Sequence, residues 1–394
     1  MLTCNYSRNI PFFKEFILKN FKENLNGSFS AYLEMPKTEH VCPHCGHPTS
    51  FIKDYRIQIV KDAQIFGKDL YIHLRKRRYL CRHCGHSFTE TNPLVQRYQH
   101  FTTRFYAQVY KEFQTLQSFK AISNRFGIST TSTIRWFDKI AYGLPVLPEC
   151  FSIDEFRGNA NNEKFQCNVT DPVRHKVLDI LPKRNVESLC RHFCQYPIEE
   201  RNLVKNVVMD LSTTFRSAVH TLFPNATITA DKFHVIRLVV WSMESVRKRV
   251  QKQFHKARRK WFKRSKAILS APEYKLAIED KLVLNRMLAA SHELDKAHLL
   301  KERFYSIFKE STIHGAKKKL QDWLFLAEQF NLPEFKHCIT TFTKWSSEIS
   351  SIVETNVTNG YTEGTNNKIK VLKRISFGVR NFERFRNRIL YLCS

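Results

Sequence analysis

FSIDEFRG, residues 151–158, sets the acidic pair Asp154-Glu155 at the end of a short apolar run, and the reading of the whole chain turns on it. Two later stretches echo it. VKNVVMDLS, residues 204–212, ends a run of β-formers at Asp210, and NGYTEGTNNKIKVLK, residues 359–373, puts Glu363 at the start of a basic helical segment. Carboxylates at two strand ends and one helix start can converge on a point. A pair of divalent cations needs that arrangement, because hard cations take oxygen ligands and two of them can clamp the attacking and leaving oxygens of a phosphodiester. Asp154 is the first candidate ligand. Its neighbour Glu155 alternates to the opposite face of a strand and is set aside.

Outward from this stretch the sequence alternates as a mixed α/β domain. FSIDEF, KFQCNVTD and KVLDILP read as a three-strand meander, NVESLCRHFCQY as a helix, VKNVVMD as a fourth strand, TTFRSAVHTLF as a helix and ATITAD as a fifth strand. That is the order of an RNase H-like core, in which Asp154 on the first strand neighbours Asp210 at the end of the fourth. Beyond Asp231 the chain is helical and strongly basic, and a single long helix is expected to carry Arg247, Arg249, Arg258 and Arg259 across DNA phosphates. Helical periodicity continues through 255–345, an all-α insertion that separates Glu363 from the core in sequence only. The expected organisation is therefore a first part of the core at 150–254, the insertion at 255–345 and a final part at 346–394. In that last part Lys368, Lys373 and Arg374 are further candidates for phosphate contact.

Upstream, residues 1–38 read as an amphipathic helix, with Phe12, Phe13, Phe16, Ile17 and Phe21 near helical spacing. Next come CPHCGH at 42–47 and CRHCGH at 81–86, two C-x-x-C-G-H knuckles separated by alternating β-formers. Four thiolates suit tetrahedral zinc, and a glycine after each second cysteine permits the tight turn that faces backbone amides to sulfur. Cys42, Cys45, Cys81 and Cys84 are thus the expected ligands of a structural Zn²⁺ in a ribbon spanning 39–95, with His44, His47, His83 and His86 as neighbours rather than ligands. From 100 to 143 the period is helical: RFYAQVYKEFQTL, SFKAISNRFG, a short turn at 128–130, then TSTIRWFDKIAY. This is a helix-turn-helix pattern whose second helix presents Arg135 and Lys139 to DNA.

Composition bounds the partners. Lys+Arg 64 against Asp+Glu 36 leaves a formal net charge of +28, far beyond what solubility requires, so a polyanion such as nucleic acid is the economical partner. With 42% hydrophobic residues and 32 Phe the chain can fill real cores and is globular. No run approaches the roughly 18 apolar residues of a membrane span, and the N-terminus is interrupted by charges where a signal peptide is apolar. A cytoplasmic protein with no membrane partner is expected. Eleven Cys, four of them in C-x-x-C pairs, argue for metal and free thiols over a disulfide framework.

Taken together, the paired CPHCGH and CRHCGH, IDEF at 153–156, VVMDLS at 207–212, ADKFHVIRLV at 230–239 and the terminal EGTNNKIKVLKRISFGVRNFERFRNRIL resemble the ISL3 family of bacterial insertion-sequence transposases of the DDE type. The resemblance covers nearly the whole chain. It implies a multidomain α+β protein: zinc ribbon, helix-turn-helix, and an RNase H-like catalytic core interrupted by an all-α insertion. It further implies an enzyme, associated with the bacterial nucleoid, that binds the terminal inverted repeats of its own element, cuts double-stranded DNA there and joins the freed 3′ ends to target DNA. Such an enzyme acts as a homodimer or a higher synaptic oligomer. Asp154, Asp210 and Glu363 would be its triad, holding two Mg²⁺ ions, with Mn²⁺ as a substitute. Asp231 and His234 match a D-x-x-H signature seen in several such families; three residues apart at a helix start, they fall on one face and would support the metals, with Asp231 an alternative to Asp210 as ligand. Two other readings remain open at this point: a domesticated sequence-specific DNA-binding regulator, and an RNase H-like nuclease without strand transfer.

Overall fold

The structure, a computed structural model, describes residues 13–96, 98–355 and 357–393. The chain divides into two compact units, Met1–Ile140 and Ala141–Ser394.

The first unit is built on a five-stranded sheet. β1 (Ile17–Glu23) and β2 (Phe29–Glu34) form an antiparallel hairpin, and β2 runs parallel to β6 (Lys68–Leu80). β6 in turn pairs antiparallel with β5 (Ile52–Ile65), while β7 (Ser87–Thr89) adds to β6; β3 (His40–Val41) and β4 (Pro48–Thr49) make a small separate pair. The helix expected over 1–38 is therefore corrected from Phe13 onward; Phe12 lies outside the described residues. Asn26-Gly27 is a hairpin signal: Gly27 takes φ +78°, the left-handed conformation that returns the chain as β2. Phe13 and Phe16 are buried with Ala31, Leu33, Val60, Ile72 and Leu74, so the segment is part of the ribbon's core rather than a domain before it.

Three helices complete this unit: α1 (Thr103–Glu112), α2 (Phe119–Arg125) and α3 (Thr130–Phe137). Each has a hydroxyl cap: Thr102, Ser118 and Ser129 accept from the backbone N–H three residues on. Gly127, at φ +57°, turns the chain between α2 and α3. The last helix stops at Phe137, short of the Tyr142 that its pattern suggested.

The second unit contains a five-stranded sheet in the order β10-β9-β8-β11-β12. β8 (Cys150–Phe156), β9 (Gln166–Asp171) and β10 (Lys176–Leu181) are the antiparallel meander; α4 (Val186–Phe193) and α5 (Ile198–Asn202) lead to β11 (Asn206–Met209), which lies parallel to β8, and α6 (Thr213–Leu222) leads to β12 (Thr227–Ala230), parallel to β11. The strand sequence read from alternation is reproduced element by element. Then follow α7 (Lys232–Gln251), α8 (Lys256–Arg264), α9 (Lys266–Ser270), α10 (Ile278–Leu288), α11 (His292–Ile307), α12 (Ile313–Phe330), α13 (Lys336–Lys344), α14 (Ser346–Ser350), α15 (Ile352–Thr355), α16 (Gly360–Ile375) and α17 (Phe382–Leu392). The single long basic helix is corrected: it breaks at 252–255, between α7 and α8.

Strand alternation divides β8 and β9 between two cores. Phe151, Ile153, Cys167 and Val169 face a large apolar cluster shared with α4, α6, α7 and the helices up to α15. Phe156 faces the opposite side with Ile369, Leu372, Phe382, Phe385 and Ile389 of α16 and α17. Asp154 shares the parity of Phe156, so it turns toward α16.

Candidate active site and zinc centre

In the ribbon the two knuckles fold alike. Gly46 N–H donates to Cys42 O (3.0 Å) and Gly85 N–H to Cys81 O (2.9 Å), with both glycines at positive φ, 74° and 71°. Folding brings the four sulfurs within 4.8 Å of one another; Cys42 and Cys84 Sγ are 3.7 Å apart and Cys45 and Cys81 Sγ 3.5 Å. A Zn–S bond of about 2.3 Å in a tetrahedron demands sulfurs about 3.8 Å apart, so the cluster fits that ion. The backbone N–H of Cys84, with that of His83, holds the Cys81 thiol down at about 6, while burial and the neighbouring thiols push Cys45 up to about 12 and Cys84 up as well, so the charge gathers on Cys81. His47 and His83 stack with centroids 3.6 Å apart beside Cys45, as neighbours of the thiols.

In the second unit, Asp154 near the end of β8 is buried, and Asp210 directly follows β11, the strand paired beside it. Burial is the main cause that pushes each up to about 6; Asp231 and Glu155 push the same way and His234 opposes them in both. Asp154 Oδ1 accepts from Glu155 N–H (2.7 Å) and Oδ2 from Asn366 Nδ2 (2.8 Å). Asp210 Oδ1 is buried with no hydrogen-bond partner among the described residues. Two desolvated carboxylates, one with an orphaned acceptor, form a donor set suited to a hard cation. Glu155 turns away, as alternation predicts, and its carboxylate pairs with Arg184.

Asp231 caps α7, accepting from Phe233 N–H at 3.0 Å, and its second oxygen meets His234 Nδ1 at 2.5 Å. That hydrogen bond is the first cause of a raised His234 pKa. The pair lies close enough for its charges to act on both Asp154 and Asp210.

Glu363 lies in the first turn of α16 and is exposed. The three carboxylates do not gather within 4.8 Å in the manner of the thiols. What brings α16 beside Asp154 is a buried polar seam that the sequence reading missed. Ser152 hydrogen-bonds Asn359, Thr170 Oγ1 meets Thr362 Oγ1 at 2.7 Å, and Asn168 Nδ2 donates to Asn366 Oδ1 at 3.1 Å. Its signal was there: Asn359, Thr362 and Asn366 recur at helical spacing on the face that buries Ile369 and Leu372.

The expected phosphate ligands divide. Arg135 and Lys139 at the end of the helix-turn-helix are exposed, as are Arg258 and Arg259 on α8 and Lys368 and Arg374 on α16. Lys373 is half-buried and donates to Arg157 O at 3.0 Å. Arg247 and Arg249 are corrected: each guanidinium is already paired with carboxylates. Arg247 is buried and donates twice to Glu244 at 2.7 Å, and Arg249 is held by Glu334 (2.7 Å) and Glu293 (2.8 Å), so their charge is already neutralised.

Residues 151–389 match the family profile of ISL3 transposases. The chain belongs to that family. Residues 38–84 match the zinc-finger of transposase IS204/IS1001/IS1096/IS1165, and residues 90–141 the helix-turn-helix domain of transposase family ISL3. Among curated proteins, the transposase for insertion sequence element IS1001 from Bordetella parapertussis is 25% identical over 373 residues, covering 92% of this chain and 91% of that one. The transposase for insertion sequence element IS1557 from Mycobacterium tuberculosis is 24% identical over 246 residues, 56% of this chain and 54% of its own. A Lactococcus lactis protein described as an ATP-dependent protease shares 30% identity over 108 residues, 27% of this chain. As an ISL3 transposase the protein is a DNA-binding enzyme of insertion-sequence transposition, and its ribbon and four-thiol cluster are those of a structural zinc domain. Among the described residues no helix is long and apolar enough to cross a membrane.

Proposed function

We propose that this transposase cuts DNA at the terminal inverted repeats of its own element and joins the freed 3′ ends to a target, with Asp154, Asp210 and Glu363 holding two Mg²⁺ ions, or Mn²⁺ in their place. The observation that carries the reading is the pairing of the buried Asp154 with the half-buried Asp210, whose Oδ1 is buried and left without a donor among the described residues. Bound there, the cations would supply charge neutralisation at the phosphate and acidify the attacking water or 3′ hydroxyl. The chain's own groups supply position. Glu155 N–H and Asn366 fix the Asp154 carboxylate, and the buried seam holds the first turns of α16 against β8 and β9, from where the exposed Glu363 would complete the ligand set. Asp231 fixes the His234 ring through Nδ1, leaving Nε2 for a phosphate oxygen or a water. The strand order of the sheet supports an RNase H-like core, and the helices from α8 to α14 an all-α insertion in it.

Arg135 and Lys139 would contact the repeats, while Arg258, Arg259, Lys368 and Arg374 would lie against phosphates, with Lys373 helping once released from Arg157. Synapsis of two ends would require a homodimer or higher oligomer on DNA, in the bacterial cytoplasm at the nucleoid. Glu363→Gln keeps the shape and removes the charge. It is expected to abolish end cleavage and strand transfer while end binding, read by electrophoretic mobility, stays the same or tightens slightly. Cleavage of terminal repeats near the parent rate in Mg²⁺ would overturn the triad.

A further inference from the structure

Helix α7 presents Phe233, Arg237 and Trp241 at i, i+4 and i+8. Phe233 is 50% exposed and Trp241 57%, although the same helix buries Val235, Val239, Met243, Val246 and Val250 on its other side. The Arg237 guanidinium sits between the two rings, 5.4 Å from the Phe233 centroid and 4.9 Å from that of Trp241. It forms no ion pair with any described residue, and the sole acid of α7, Glu244, is buried against Arg247. The row begins two residues after Asp231, the cap that bonds His234. Two large exposed rings holding a cation between them, at the edge of a carboxylate site, have no role in packing the helix.

We propose that Phe233, Arg237 and Trp241 bind unpaired nucleobases of the DNA strand where it passes the carboxylate site. The proposal rests on the reading of that site given above and adds how the strand beside it is held. At a rise of about 1.5 Å per residue, Phe233 and Trp241 are about 12 Å apart along the helix, room for three or four bases stacked at about 3.4 Å. Every base has a π-face, so aromatic stacking is sequence-tolerant, and an arginine between rings adds cation–π attraction and phosphate neutralisation. Charge decides against a second copy of this chain on the same row: each copy carries +28, and the row offers a cation with no acid to receive it.

The test uses full-length zinc-loaded protein in EDTA-treated, Mg²⁺-free buffer containing no free chelator, with two probes: a blunt duplex, and the same duplex bearing a four-nucleotide 3′ overhang that carries 5-iodouracil. Trp241→Ala is expected to weaken overhang binding at least about fivefold while changing blunt-duplex binding less than twofold. Trp241→Phe is expected to restore most of the loss, and photocrosslinking of the parent to map to α7. Both side chains are exposed, so melting temperature is expected to be unchanged, and Trp241→Phe serves as the readout where Trp241→Ala melts early. Unchanged overhang affinity in both Trp241→Ala and Phe233→Ala would overturn the proposal. So would equal loss for both probes, or a DNA-free parent dimer that Trp241→Ala dissociates. The site reading fails separately: Asp154→Asn that still cleaves in Mg²⁺ sinks the triad and leaves the overhang result standing.

Discussion

Asn366 Nδ2 donates to Asp154 Oδ2 at 2.8 Å, tying a helix residue three positions past Glu363 to the carboxylate on β8. The same amide accepts from Asn168 at 3.1 Å, so its orientation is fixed from a second strand. Groups that orient a metal ligand typically change metal affinity or activity by about 10–100-fold when removed. Asn366→Ala is expected to lower Mg²⁺-dependent end cleavage by about that factor and to weaken Mn²⁺ binding, measured by titration against melting temperature, with duplex binding retained. A variant with parent metal affinity would show that the amide only packs.

Asp154 and Asp210 predict a pH signature. Their folded pKa values of about 6 exceed the ordinary 3.8, so without metal the folded chain holds protons that the unfolded chain releases between roughly pH 4 and 6. Their contribution to stability is complete below pH 4 and lost as pH rises through 6, on the order of 3 kcal/mol for each carboxylate. On the proposed reading a divalent cation would replace those protons. The rise in melting temperature on adding Mg²⁺ is therefore expected to be small at pH 5 and larger at pH 7.5, and to shrink at pH 7.5 in Asp154→Asn. An equal Mg²⁺ effect at both pH values would contradict it.

Arg247 is expected to act on stability. It is buried and donates two 2.7 Å bonds to Glu244, and removing one partner of such a pair strands the other charge at a cost of about 3–5 kcal/mol. Arg247→Ala should lower the melting temperature markedly, whereas Arg258→Ala, on an exposed residue of α8, should leave it unchanged and weaken DNA binding more steeply at low salt. The reverse pattern would restore Arg247 as a phosphate ligand.

Zinc is expected at one ion per chain by mass spectrometry. Cys84→Ser, or a strong chelator, should destabilise the first unit by several kcal/mol, because the knuckles are closed by short turns and carry little apolar core of their own. Full retention of metal and melting temperature in Cys84→Ser would remove that sulfur from the ligand set.

Much of the catalytic sheet was legible because its signals are local. Apolar alternation marked β8, β11 and β12, and helical periodicity marked α1, α2 and α3. The failures also have local causes. Phe13 and Phe16 satisfied a helical spacing while Asn26-Gly27 demanded a hairpin, and the pairing of β2 with β6, more than 30 residues on, decided between them. Arginine at 247 and at 258 looks the same in a basic run; whether Glu244 or solvent receives the guanidinium depends on how α7 packs.

From residue order alone came the cysteine spacing of the zinc knuckles, the acidic residues at strand ends and the helix-turn-helix, since each depends on geometry within a few residues. Tertiary structure alone decided the rest. It desolvated the Asp154 and Asp210 carboxylates until their pKa values rose, it set Asn366 on Asp154, and it left Phe233 and Trp241 in solvent. Burial and contact between residues 200 positions apart are properties of how the sheet and α16 pack, and no periodicity within either segment encodes them.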